Sequence, residues 1–258
     1  MLRILWNSKS AMTAQQEKLD SISNNIANSS TDGYKRTDVS FKDLIQESLK
    51  KEGYPTVKNN GDTKEPSTGS GVKAGEWTRD NKQGSLIETK MNTDLALDGE
   101  GFFKVTLPNG NMGYTRNGSF SLDSEGFLND KSGNRLEILS NGTQIKIPSS
   151  NFKIDEDGNI LDKSSGTDIN IGKIKLYSFT GSDAVTSIGN SLYVKRDGVN
   201  SYEPGNTSII QGFVEASNVD IAKEMTDMII TQRAFELSSK GLKTADEMWG
   251  MANNLRSR

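Results

Sequence analysis

Asp155, Glu156, Asp157, Gly158 and Asn159 gather three carboxylates and an amide within five residues, the hard oxygen donors that calcium takes. An EF-hand loop needs glycine at its sixth position and a distant bidentate acid, and Ile160 stands where that glycine belongs. The stretch reads as a hairpin turn. Asp98 and Glu100 are a second acidic pair, the equipment of a glycosidase, yet turn chemistry accounts for the run Asp98, Gly99, Glu100, Gly101. Gly69, Gly71 and Gly75 have the look of a phosphate cradle, but neither a Lys-Ser/Thr pair nor a helix start follows them, so they read as linker. Met225, Met228, Met248 and Met251 would suit an adaptable groove; on a helix that repacks against several neighbours they need no ligand.

Composition closes further routes. None of the 258 residues is cysteine or histidine. That removes disulfides, thiolate metal sites, Ser/His/Asp triads, HExxH zinc sites and the usual general base near neutral pH. We expect no enzyme, with no catalytic, cofactor or metal site. Basic residues number 31 and acidic residues 34, net −3, with no basic block at either end, so neither nucleic acid nor an anionic membrane is the expected partner. The opening apolar run around Leu2 to Trp6 is too short for a cleavable signal peptide. Nothing elsewhere approaches the ~18 apolar residues of a membrane span, so no membrane insertion is expected.

The strongest pattern lies at the two ends. Ile221, Met228, Phe235, Leu242 and Trp249 recur every seven residues, with Met225 as a second seam position, the signature of a coiled-coil-type helix. Ser217 with Asp220 three residues on predicts a capping box at its start, and Asn218 is an alternative N-cap. Glu236 and Lys240 support the helix at i,i+4, whereas Gln232, Ser239 and Asp246 interrupt the seam with polar groups. The amino-terminal stretch repeats the logic, with Leu5, Met12, Leu19 and Ile26 on a seven-residue row, Ile22 beside it, and Ser8 and Gln15 between. The two segments read as partners for each other, which makes everything between them one insertion.

Residues 46–72 are rich in Lys, Glu, Asn, Gly, Ser, Thr and Pro and cannot bury much of themselves, so they read as a polar connector. From 73 to 214 turn signals arrive about every 8 to 12 residues, among them Asn109-Gly110, Glu125-Gly126, Asp157-Gly158-Asn159 and Asp197-Gly198. Strand-like runs lie between them, including 101–107, 135–139, 144–147, 171–179 and 209–214. The expected fold is therefore α+β, with long terminal heptad helices pairing as a coiled-coil-like layer around a hairpin-rich, all-β sandwich or barrel-like body.

Three blocks carry a resemblance. NNIANSSTDGYKR, with Asn24, Asn25, Ala27, Asn28, Gly33, Tyr34 and Lys35, ends the first helix in an Asn-rich turn followed by Gly, an aromatic and Lys. DLALDGEGFFKV and YTRNGSFSLDSEGFL occupy 94–105 and 114–128, and EASNVDIAKEMTDMIITQRAFELSSKGLKTADEM occupies 215–248. In this order, over nearly the whole chain, they resemble the bacterial flagellar rod and hook proteins. The resemblance implies a structural subunit without cofactor, exported to the basal body, whose partners are further copies of itself in a helical polymer, other rod and hook proteins, and the flagellar export apparatus. It divides the chain into an inner-tube helix at 1–30, a connector with polar insertion at 31–72, the β domain at 73–214 and a second inner-tube helix at 215–258. The heptad residues become an assembly seam. Phe41 and Ile45 match the spacing of the family's export element, for which plain packing is the other reading. By position the 46–72 insertion resembles the one that distinguishes distal-rod from hook-type subunits, and the proximal-rod subunit stays as the runner-up within the family. The rival of a different class is a secreted β-rich binding module that dimerises through its terminal helices.

Overall fold

The computed structural model describes residues 2–44, 46–48, 67–140, 143–148, 152–162, 169–181 and 184–256. Ile45 and most of the polar insertion lie outside these residues. Two helices, α1 (Leu2–Ala27) and α2 (Ile221–Arg256), stand at the ends of a β-rich middle, an α+β architecture. The chain forms two compact units. One is assembled from Met1–Ile26, Thr37–Thr78 and Asp220–Arg258, and the other from Ala27–Arg36 and Arg79–Val219.

In the terminal unit, α1 lies on a two-stranded ribbon of Thr37–Asp43 and Val72–Arg79, with Ala14, Val39 and Ala74 buried between them. The start of α2 differs from the expected capping box. Asp220 is itself the N-cap, its Oδ1 accepting from the amides of Ala222 at 3.0 Å and Lys223 at 3.2 Å. Ser217 Oγ instead accepts from the Val219 amide. On α2 the buried positions are Glu224, Thr231 and Ala245, with Met228, Phe235 and Leu242 half-buried. Steps of four and three fit Met225 and Glu224 equally well, and burial separates them, since the buried row beside Met228, Phe235 and Leu242 starts at Glu224. Met225 itself is 53% exposed.

The β unit is built from antiparallel pairs. Phe102–Thr106 is the central strand of its larger sheet, paired along one edge with Met112–Thr115. Its other edge is shared by Leu176–Phe179 and Arg135–Leu136. A second sheet orders Thr143–Gln144, Ile138–Ser140, Ile169–Ile174, Asn159–Asp162 and Phe152–Ile154. Two runs expected as single strands, 135–139 and 171–179, each change sheet at one residue, Glu137 and Lys175. Alternation hides the break, because Leu136 and Ile138, and likewise Ile174 and Leu176, are all buried in one core shared by both sheets. Two short ribbons complete the unit, Leu95–Asp98 with Ser208–Gln211 and Leu86–Glu88 with Phe213–Glu215.

Candidate functional site

Three of the sequence blocks meet inside the β unit. Gly33 makes the meeting possible, since its φ of +67° is open to glycine at little cost and a Cβ there would lie 2.6 Å from the Asn117 amide nitrogen. The Gly33 amide donates to the Glu215 carbonyl at 2.7 Å. Lys35, two residues on, is thereby placed beside the Glu215 side chain at the end of strand Phe213–Glu215, while Arg116 follows directly on strand Met112–Thr115.

Glu215 is 1% exposed and both of its oxygens are engaged. Oε1 accepts from Lys35 Nζ at 2.6 Å and from the Gly84 amide at 2.8 Å, and Oε2 accepts from Arg116 Nε at 2.6 Å. The remaining donors are used as well. Lys35 Nζ donates to the Lys82 carbonyl at 2.7 Å, and the two terminal nitrogens of Arg116 donate to the carbonyls of Gly101 and Gly99. Burial pushes the Glu215 carboxyl up, but the Arg116 and Lys35 charges outweigh it and hold the group below the usual carboxylate range. Burial pulls Lys35 down, and the hydrogen bond and charge of Glu215 restore only part of that. With each charge held by structural hydrogen bonds, the arrangement is a brace that ties the turn after α1, the central hairpin and the segment leading into α2.

Other residues of the signature divide between the two units. Asn25, in the terminal unit, is buried; its Oδ1 accepts from the Thr37 amide at 2.9 Å, and its Nδ2 donates to the Thr37 carbonyl at 2.8 Å and to Glu224 Oε2 at 3.1 Å. Asn28 accepts from Thr31 in the turn, and Asn24 and Ala27 are exposed. Tyr34 is half-buried. Among the seam residues, Ile22 is buried, Leu5, Met12, Leu19 and Ile26 are half-buried, and Ile221 and Trp249 are exposed at 45% and 47%. Phe41 is 44% exposed on the ribbon.

Sequence reasoning missed Arg116, Glu215, Asn218 and Glu224 as individual residues. Asn218, first considered as an N-cap, accepts from the Arg36 amide at 2.7 Å and donates to the carbonyls of Asp80 and Lys82. All four lie inside the blocks that carry the family resemblance. That was the available signal.

Three family models match in order, the flagella basal body rod protein at residues 5–35, the flagellar hook protein FlgE/F/G D1 domain at 96–172, and the flagellar basal body rod FlgEFG protein C-terminal at 210–255. The flagellar basal-body rod protein FlgG of Borreliella burgdorferi is 36% identical, covering 99% of both chains. FlgG of Buchnera aphidicola from Acyrthosiphon pisum is 38% identical over 96% of this chain and 97% of its own. The flagellar hook-basal body complex protein FlhP of Bacillus subtilis is 29% identical over 99% and 100%. The chain belongs to the flagellar basal-body rod protein family, most like its FlgG members.

Proposed function

We propose that copies of this chain polymerise helically into the axial drive shaft that carries torque to the hook. The chain is a structural subunit of the flagellar basal-body rod, and its place is the basal body. The observation that carries the polymer is the outer face of α2, where Ile230, Leu237 and Met251 lie at multiples of seven residues and are 61%, 67% and 60% exposed. A regular apolar row left in water marks an interaction surface, and its spacing suits another helix. In this reading α1 and α2 pair as a coiled-coil-like layer, their seam residues pack against neighbouring copies in an inner tube, and the β unit stiffens the outside. Head-to-tail contacts that do not close generate such filaments.

The subunit's partners in this reading are other rod and hook proteins and the export apparatus, with Phe41, which is exposed, and Ile45, which lies outside the described residues, as the export element. The insertion at 46–72 favours the distal part of the rod. Purified protein tests the polymer directly. Long filaments whose growth depends on concentration support it, whereas a fixed dimer at every concentration would return the chain to the binding-module reading. Electron microscopy of basal bodies carrying a tagged copy gives its position.

A further inference from the structure

We infer that the buried pair Asn25 and Glu224 sets the register in which α1 and α2 lie side by side. The inference concerns one chain and goes beyond the assembly reading. Two contacts define the observed register. Asn25 Nδ2 donates to Glu224 Oε2 at 3.1 Å, and a Cβ on Gly241 would lie 3.4 Å from Ser8 Oγ. Seventeen residues separate Ser8 from Asn25 and seventeen separate Glu224 from Gly241, as one antiparallel register requires.

The heptad rows alone leave that register under-determined. Met228, Phe235 and Leu242 repeat every seven residues, as do Leu5, Met12, Leu19 and Ile26, so a slip of one heptad, about 10 Å along the helix, presents a similar apolar row. The polar row beside it does not repeat. Glu224, Thr231 and Ala245 are all buried, but only Glu224 offers a carboxylate, and it is 0% exposed. Asn25 is held in place independently, because Thr37 receives and gives hydrogen bonds through both its amide side-chain atoms. A slip would oppose Asn25 with another side chain and carry the buried Glu224 carboxylate along the seam away from Asn25, at the cost of the buried hydrogen bond between them. A polar pair at one seam position is the means by which helices of this kind choose a single alignment.

The chain's lack of cysteine makes the register readable by disulfide trapping. In the full-length monomer, S8C/G241C reports the observed register, and S8C/A234C and S8C/M248C report slips of one heptad either way. We expect oxidation to trap 8–241 in the wild-type background and in E224Q, which keeps an acceptor. With E224L the 8–241 yield should fall about tenfold relative to a slipped pair, equivalent to about 1.4 kcal/mol of register preference. Unchanged 8–241 trapping in E224L overturns the inference. So does loss of helical circular dichroism in E224L with no slipped crosslink, which would make the pair a support for the helix and not its alignment key.

Discussion

Arg116 and Glu215, 99 positions apart in sequence, meet at 2.6 Å with side chains that are 5% and 1% exposed. A buried charge so placed is costly to leave alone. Glu215→Ala strands two cations and the Gly84 amide, and we expect a loss of about 3–5 kcal/mol in the β unit. Lys173→Ala, which breaks a 3.8 Å pair between half-exposed groups, should cost no more than about 1 kcal/mol. Urea denaturation of the two variants checks the contrast, and equal losses would remove the brace from the account.

The same carboxylate makes stability depend on acid. Glu215 binds its proton less readily when folded, so the unfolded chain takes up more protons in acid and stability rises with pH there. The contribution is complete above the ordinary glutamate value of about 4.3 and is lost as pH falls through the lower folded value. Urea midpoints of the wild type should therefore fall steeply between about pH 5 and pH 2, and those of Glu215→Gln less so. Parallel curves would assign the acid loss to other carboxylates.

Gly33 and Gly110 both have positive φ, +67° and +82°, but only Gly33 is crowded. Gly110→Ala should cost about 1–2 kcal/mol for its conformation alone. Gly33→Ala adds a clash with the backbone at Arg116 and Asn117, worth a further 1–3 kcal/mol or so. Thermal melts of the pair suffice, and a Gly33→Ala melt as mild as Gly110→Ala would show that the turn can back away.

Assembly and folding separate on α2. Leu237→Asp places a charge on the outer row and should leave monomer stability within about 0.5 kcal/mol while abolishing polymer growth. Phe235→Asp, on the half-buried row, should block assembly and destabilise the helix packing by several kcal/mol if the charge stays buried, with the β unit still folded. Normal motility and rods with either variant would contradict the expected role of these faces.

Phe41→Ala should lower the secreted fraction without changing the melting temperature, because the ring is 44% exposed and has little packing to lose. Secretion and melting are best measured on the same preparation. A drop in melting temperature with unaltered secretion would assign Phe41 to packing.

Local chemistry made much of this protein legible in its sequence. Heptad spacing announced both helices, and turn dipeptides announced the β-rich middle. These are properties of a residue and its near neighbours, so they can be read along the chain. Within one chain the buried row of α2 contains a glutamate and a threonine that no apolar pattern reveals, while Met225 is left exposed. What only the tertiary structure decided is which distant polar groups share a site. Lys35, Arg116 and Glu215 look like surface charges in their separate segments, and the sheet changes at Glu137 and Lys175 leave the apolar alternation unbroken. Burial and partnership depend on where the backbone brings other segments, and a carboxylate's role is settled only when two cations arrive from 99 and 180 positions away.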